Sequence, residues 1–247
     1  MFFGCARQNE SHQIELGIGM NFISHKLLYV AFTMSCILFG IATTDAQTAT
    51  APYLSPEDGG PRNWTVVSVS KSLNLHQEPS DKADVAGKVK PGDSLDNLGC
   101  QLSKGQTWCD VQPLGGGPRG YVSARFLKPA VSPDGSIATG IDDSALRAGQ
   151  GQFDIIGPIP CAINAGQPMG SCEFGVARSG GGYATLVIKK PDGNSRSIYF
   201  RMGKPIGANS TQAEGYAKFQ ASKKKDLHII RVGSERYEVP DAVIFGG

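Results

Sequence analysis

From Asn63 onward the chain is dominated by short apolar and polar alternations broken by turn residues, with no long helical periodicity. Thr65-Val66-Val67-Ser68-Val69 is a β-branched run, which predicts a strand. Leu73 and Leu75 alternate with Ser72, Asn74 and His76, the period-2 pattern of a half-buried strand. Val85, Gly87 and Val89 predict another, ended by Pro91-Gly92-Asp93. Ser94–Leu102 and Thr107–Gln112 read as a hairpin around the loop Ser103-Lys104-Gly105-Gln106. Tyr121-Val122 reads as a last strand, with a helical turn over Ser123–Phe126. Short strands at this close spacing predict a small barrel over 63–130.

Residues 131–151 hold Pro133-Asp134-Gly135, Gly140 and Gly149-Gln150-Gly151 without sustained periodicity, so a linker is predicted there, with a short turn at Ser144–Arg147. The β pattern resumes over 152–247. Ala184–Ile188 and Ser197–Arg201 flank the turn Pro191-Asp192-Gly193-Asn194. Tyr216–Ala221 and Leu227–Val232 alternate. Gly233-Ser234 is a two-residue hairpin turn leading into Arg236–Val239, and Val243-Ile244-Phe245 closes the β pattern. The expected fold class is therefore all-β: a small barrel, then a small antiparallel sheet domain, preceded by a cleavable signal helix.

That signal is read from the first 46 residues. Residues 1–19 are unpatterned, and Met20 is a second candidate start. His25 and Lys26 precede an uncharged apolar run from Leu27 to Ala42, and Thr44 and Ala46 are small residues at the −3 and −1 positions of a cleavage site. This layout predicts a signal peptide over 1–46. The run falls short of the ~20 residues of a spanning helix, so no stable membrane span is expected after processing, a retained anchor being the alternative. Cys36 sits in mid-run behind a poor lipobox, against lipidation. Residues 47–62, rich in Thr, Ala, Pro and Gly, are predicted as a flexible linker.

Composition narrows the function classes. The 247 residues carry a formal charge of +2. That excess, with Lys223-Lys224-Lys225 as the single basic run, does not suit a nucleic-acid partner. Cleavage would remove Cys5 and Cys36, leaving Cys100, Cys109, Cys161 and Cys172, an even set that predicts disulfides in an exported chain. Counting outward from the hairpin loop, Leu102 faces Thr107 and Cys100 faces Cys109, at a distance a disulfide can bridge. By elimination, Cys161 pairs with Cys172. Zinc and other metals are not expected, because His76 and His228 are the only histidines after the signal and no Cys-x-x-Cys occurs. No cofactor motif is found.

The order Leu73-Asn74-Leu75, Gly87-Lys88-Val89-Lys90-Pro91-Gly92-Asp93, Trp108-Cys109-Asp110-Val111 and Gly120-Tyr121-Val122-Ser123 resembles a bacterial SH3-like domain. His76 stands where that family commonly has Arg, and Pro113–Pro118 lengthens a loop. The resemblance implies an SH3-like barrel over 63–130 that binds peptidoglycan or a cell-wall peptide and performs no chemistry. It makes Tyr121, Trp108 and His76 the ligand-binding candidates. Residues 152–247 resemble tails of exported proteins that carry such domains, through Ile159-Pro160-Cys161, Cys172–Arg178 and Val239–Ile244.

The expected function is a non-catalytic binding protein of the periplasm or the secreted fraction, with the cell wall, and envelope proteins as well, for partners. Two alternatives stand beside it. One is an NlpC-type cysteine peptidase using Cys172 and His228, although Cys172 is followed by Gly180-Gly181-Gly182 and a strand rather than the helix that would activate a thiolate. The other is a ligand-free scaffold subunit of an envelope complex. His228 alternates between Leu227 and Ile229, which predicts a surface position.

Overall fold

The computed structural model describes residues 54–210 and 215–246. The predicted signal segment, with Met20 and Cys36, lies outside them, as do residues 47–53 of the predicted linker. The described chain is all-β, built as two antiparallel sheets.

The first sheet has seven strands: β1 (Asn63–Val66), β2 (Leu73–His76), β3 (Val85–Val89), β4 (Ser94–Ser103), β5 (Gln106–Pro113), β6 (Gly120–Ser123) and β7 (Leu127–Pro129). Their order is β3-β2-β6-β5-β4-β1-β7. Successive side chains on a strand point to opposite faces. Trp64, Leu75, Leu95, Cys109, Val111 and Val122 thus all point inward and are at most 1% exposed. Burying that single apolar face is what curls the sheet into a barrel.

The β4–β5 hairpin keeps the predicted register. Leu102 pairs with Thr107, and Cys100 with Cys109, whose sulfurs are bonded. Ser103 and Gln106 pair as well, so the expected four-residue loop is a two-residue turn. Lys104 and Gly105 both have positive φ, 51° and 77°, as a twist-matched hairpin turn requires. Between Asn97 and Cys100 the ladder is interrupted by a bulge. There the Asn97 side chain donates to the carbonyls of Leu54 and Pro61, both at 2.8 Å, and accepts from the Gly99 amide at 3.0 Å. Residues 54–62, read as tether from composition, are thereby held against β4.

The second sheet has eight strands: β8 (Ile155–Ala162), β9 (Gly170–Arg178), β10 (Ala184–Lys189), β11 (Ser195–Arg201), β12 (Lys204–Ala208), β13 (Phe219–Lys224), β14 (Leu227–Val232) and β15 (Glu235–Pro240). The order β12-β11-β10-β9-β8-β15-β14-β13 is an up-and-down meander, and it curls until β12 lies beside β13 and β14. Among the described residues no ladder joins β12 to β13. Inside lie Phe174, Leu186, Ile198, Phe200, Ile230 and Tyr237. Arg196 also enters this interior, where Glu235 binds it at 2.7 and 3.0 Å and Tyr237 donates its hydroxyl to Glu235 at 2.8 Å. A buried charge is tolerated only when paired in this way. Cys161 and Cys172 are bonded, joining β8 to β9.

Three segments differ from their sequence reading. The strand expected at Tyr216–Ala221 forms further on, at Phe219–Lys224, and Tyr216 takes a left-handed φ of 50°. Val243-Ile244-Phe245 belongs to a short helix, α2 (Asp241–Phe245), not a strand. Pro240 has no amide to continue a ladder, and it fixes the backbone that enters the helix, where Ile244 is buried. Within 131–151, a helix α1 (Ser144–Gly149) packs on β9 and β10, and its Ser144 hydroxyl bonds that of Thr185 at 3.1 Å.

The two sheets meet through polar groups that sequence patterning did not single out. Arg62 is 7% exposed. Its guanidinium donates to the carbonyls of Gly140, Ile141 and Ser179 at 2.7, 2.7 and 2.9 Å and lies 4.7 Å from the centre of the Tyr183 ring. Arg201 of β11 reaches Asp96 of β4 at 3.1 Å. Leu114, from the lengthened Pro113–Pro118 loop, packs against Ala130, Ala138, Tyr183 and Met202. The loop thereby seats its apolar residue beside Tyr183 and Met202, which flank β10 and β11 of the second sheet.

Candidate functional site

The outer face of the first barrel carries the three candidate residues. On β5, Cys109 and Val111 point inward, so Trp108 and Asp110 point outward. Trp108 pairs with Ser123 and Asp110 with Tyr121 across β5–β6, and His76 pairs with Tyr121 across β2–β6. His76, Trp108 and Tyr121 therefore share one face.

They do not share one hollow. His76 and Trp108 line a groove of about 300 Å³ together with Asn74, Gln106, Arg125 and Phe126. The two rings meet edge to face, with centroids 5.8 Å apart and planes at 89°. Trp108 is only 5% exposed and forms the floor of the groove. The His76 Nδ1 lies 2.9 Å from the Ala83 carbonyl. A carbonyl only accepts, so Nδ1 carries the proton and Nε2 is left for the groove side. Gln106 donates to the Ser123 hydroxyl at 2.5 Å and closes one wall. Arg125 lays its guanidinium 4.6 Å from the centre of the Phe126 ring.

Tyr121 borders a separate, smaller hollow of about 230 Å³ with Leu98, Cys100, Gln101 and Asp110. Asp110 is held there by Arg119, whose Nε and NH2 donate to the two carboxylate oxygens. The Asp110 hydrogen bonds raise the Arg119 guanidinium above its ordinary pKa. The groove thus presents flat rings with hydrogen-bonding groups at their margins. Such a surface can stack on a sugar or peptide plane and orient it.

The second barrel places the remaining candidates elsewhere. Cys172 is bonded to Cys161. His228, expected at the surface, is 2% exposed and points into the barrel. Its Nε2 bonds Asp241 at 2.8 Å, and its ring meets Phe200 edge to face at 5.5 Å. Period-2 alternation has two phases, and the partner that makes the inward one tolerable, Asp241, lies beyond the next strand. Burial pushes the imidazole below its ordinary value of 6.5, outweighing the pull of Asp241. Among the described residues no cluster of His, Cys, Asp and Glu suits a metal ion, and no helix is long and apolar enough to cross a membrane.

No curated protein and no solved structure matches the chain. The family model of the bacterial SH3 domain matches residues 71–128, a span that opens just before β2 and ends within β7. The first barrel, with its His76–Trp108 groove, thus carries a bacterial SH3 domain.

Proposed function

We propose that the protein is an exported, non-catalytic cell-envelope binding protein whose SH3 domain recognises peptidoglycan or a cell-wall peptide in the groove over Trp108. The observation that carries this reading is the coincidence of the bacterial SH3 match with an aromatic-floored groove on the outer face of the same barrel. Two disulfides support an extracytoplasmic setting, since such bonds persist where the surroundings are oxidising. The Cys161–Cys172 bond supports a non-catalytic reading, because a disulfide sulfur is no nucleophile, and His228 has Asp241 rather than Cys172 for its partner. The second barrel acts as an accessory or protein-contact domain.

Co-sedimentation of the purified protein with peptidoglycan sacculi tests this function. Binding at modest salt, weakened by His76→Ala, is the expected result. A protein that stays in the supernatant would count against wall recognition and favour a scaffold role.

A further inference from the structure

The seam of the second barrel holds a cavity that the SH3 groove does not explain. Where β12 approaches β13 and β14, a hollow of about 340 Å³ opens, lined by Pro133, Met202, Lys204, Pro205, Ala221 and His228 among others. Its walls are mainly apolar, and its floor includes the His228 ring, 98% of which is withdrawn from solvent. This imidazole is chemically asymmetric. Nε2 faces the Asp241 carboxylate at 2.8 Å, and the second oxygen of that carboxylate is taken by Lys223 at 2.7 Å. A carboxylate held by a lysine only accepts, so Nε2 carries the proton of the neutral ring. Nδ1 is then a bare acceptor: no group among the described residues donates to it, and it is not fully shut off from solvent. A bare acceptor that is still reachable at the floor of an apolar hollow marks a place where a ligand donor would be received.

We propose that the seam cavity is a binding site for a small apolar molecule ending in one hydrogen-bond donor, a hydroxyl or amide N–H, which donates to His228 Nδ1 while its apolar body lies against Met202, Pro133 and Pro205. Asp241 and Lys223 are positioning residues that fix the tautomer and the ring plane. Apolar contact supplies most of the affinity, and the single acceptor supplies the discrimination, since a molecule without the donor leaves Nδ1 unpaired.

Phenol and toluene, nearly equal in shape, are the probes. Binding is followed by nitrogen NMR of the His228 ring in the intact purified protein. The expected result is that phenol binds at least fivefold more tightly than toluene and moves the Nδ1 resonance from the bare-acceptor position toward that of a hydrogen-bonded nitrogen. His228→Phe keeps a flat ring but deletes the acceptor, and it should abolish the preference for phenol. Equal binding of the two probes, binding of neither, or phenol binding without movement of the Nδ1 resonance would each overturn the assignment. Should the variant fold poorly, the wild-type resonance alone decides. None of these outcomes depends on wall binding by the SH3 domain.

Discussion

The Tyr183 hydroxyl donates to Asn63 Oδ1 at 2.5 Å, joining the first strand of one barrel to the second barrel across 120 positions of sequence. Both residues are buried, at 4% and 3% exposure. Burial, together with the nearby Asp96 carboxylate, pushes the Tyr183 phenol up to about 12, so it remains a donor throughout the neutral range. The bond sits beside Arg62, whose guanidinium is shared between the residue 140 region and Ser179. Two sheets with separate cores are thus pinned by one buried polar cluster.

Breaking this cluster should loosen both sheets. Tyr183→Phe leaves Asn63 Oδ1 without its donor, and a loss of about 1–2 kcal/mol is expected. Arg62→Ala strands three carbonyls, and a larger loss of about 2–3 kcal/mol is expected. Urea unfolding should show one transition, with tryptophan fluorescence (Trp64 and Trp108, both in the first barrel) coinciding with far-UV circular dichroism. Two separated transitions in the wild type would mean that the contact does not couple the barrels.

Alkylation of the denatured, unreduced protein should label none of Cys100, Cys109, Cys161 and Cys172, and reduction should expose all four. Each bridge closes a short loop, with sequence separations of 9 and 11. Replacing either pair by serine should therefore cost about 2–3 kcal/mol in the chain-entropy view, read from the urea midpoint. A reactive Cys172 in the native, unreduced protein would revive the peptidase alternative.

Stability should fall with acidification in two stages. Burial depresses His228, so below its ordinary 6.5 the unfolded chain takes up a proton that the folded chain resists. Stability is full above that value and declines as pH falls toward the folded pKa. Burial alone would raise the Glu235 carboxyl. The Arg196 and Tyr237 hydrogen bonds and the Arg196 and Lys190 charges outweigh burial and hold it below 4.5. Its stabilisation is present above 4.5 and is lost as pH falls through its depressed value. Urea midpoints measured between pH 7.5 and 5 should decline in the wild type. They should stay flat in His228→Gln if this residue is responsible.

In the SH3 groove, His76→Ala should weaken sacculus binding about tenfold, the loss of about 1.4 kcal/mol typical of one well-placed contact. Tyr121→Ala, in the neighbouring hollow, should change binding less than twofold. The reverse ranking would move the site to the Leu98–Asp110–Tyr121 surface. Trp108→Ala is a poorer probe, since the floor of the groove is also packed structure.

Much of the fold was legible because strands and hairpins are local. The Cys100–Cys109 register followed from counting back from one turn, and the Pro191–Asn194 and Gly233-Ser234 turns carry their own backbone preferences. What escaped was non-local. Nothing near Arg62 or Tyr183 in the chain announces that they stack. His228 was assigned the wrong face because its phase depends on Asp241 and Phe200. Val243–Phe245 is β-branched and apolar, equally at home in a strand, and a proline with one buried isoleucine decided for a helix. His76, Trp108 and Tyr121 were singled out as candidates through family resemblance alone, and that Tyr121 borders a different hollow from the other two was visible only in the barrel.

The open seam also accounts for the chain's one basic run. Lys223 and Lys224 end β13, a terminal strand of the second sheet, and Lys225 turns the chain at a φ of 57°. An incomplete barrel offers an unfilled strand position that a second molecule could occupy by annealing its own edge. Lys224 and Lys225 on that border, Lys223 being paired with Asp241, make two such borders repel each other. The run is then a guard on solubility, and its neutralisation would be felt first as self-association in concentrated solution.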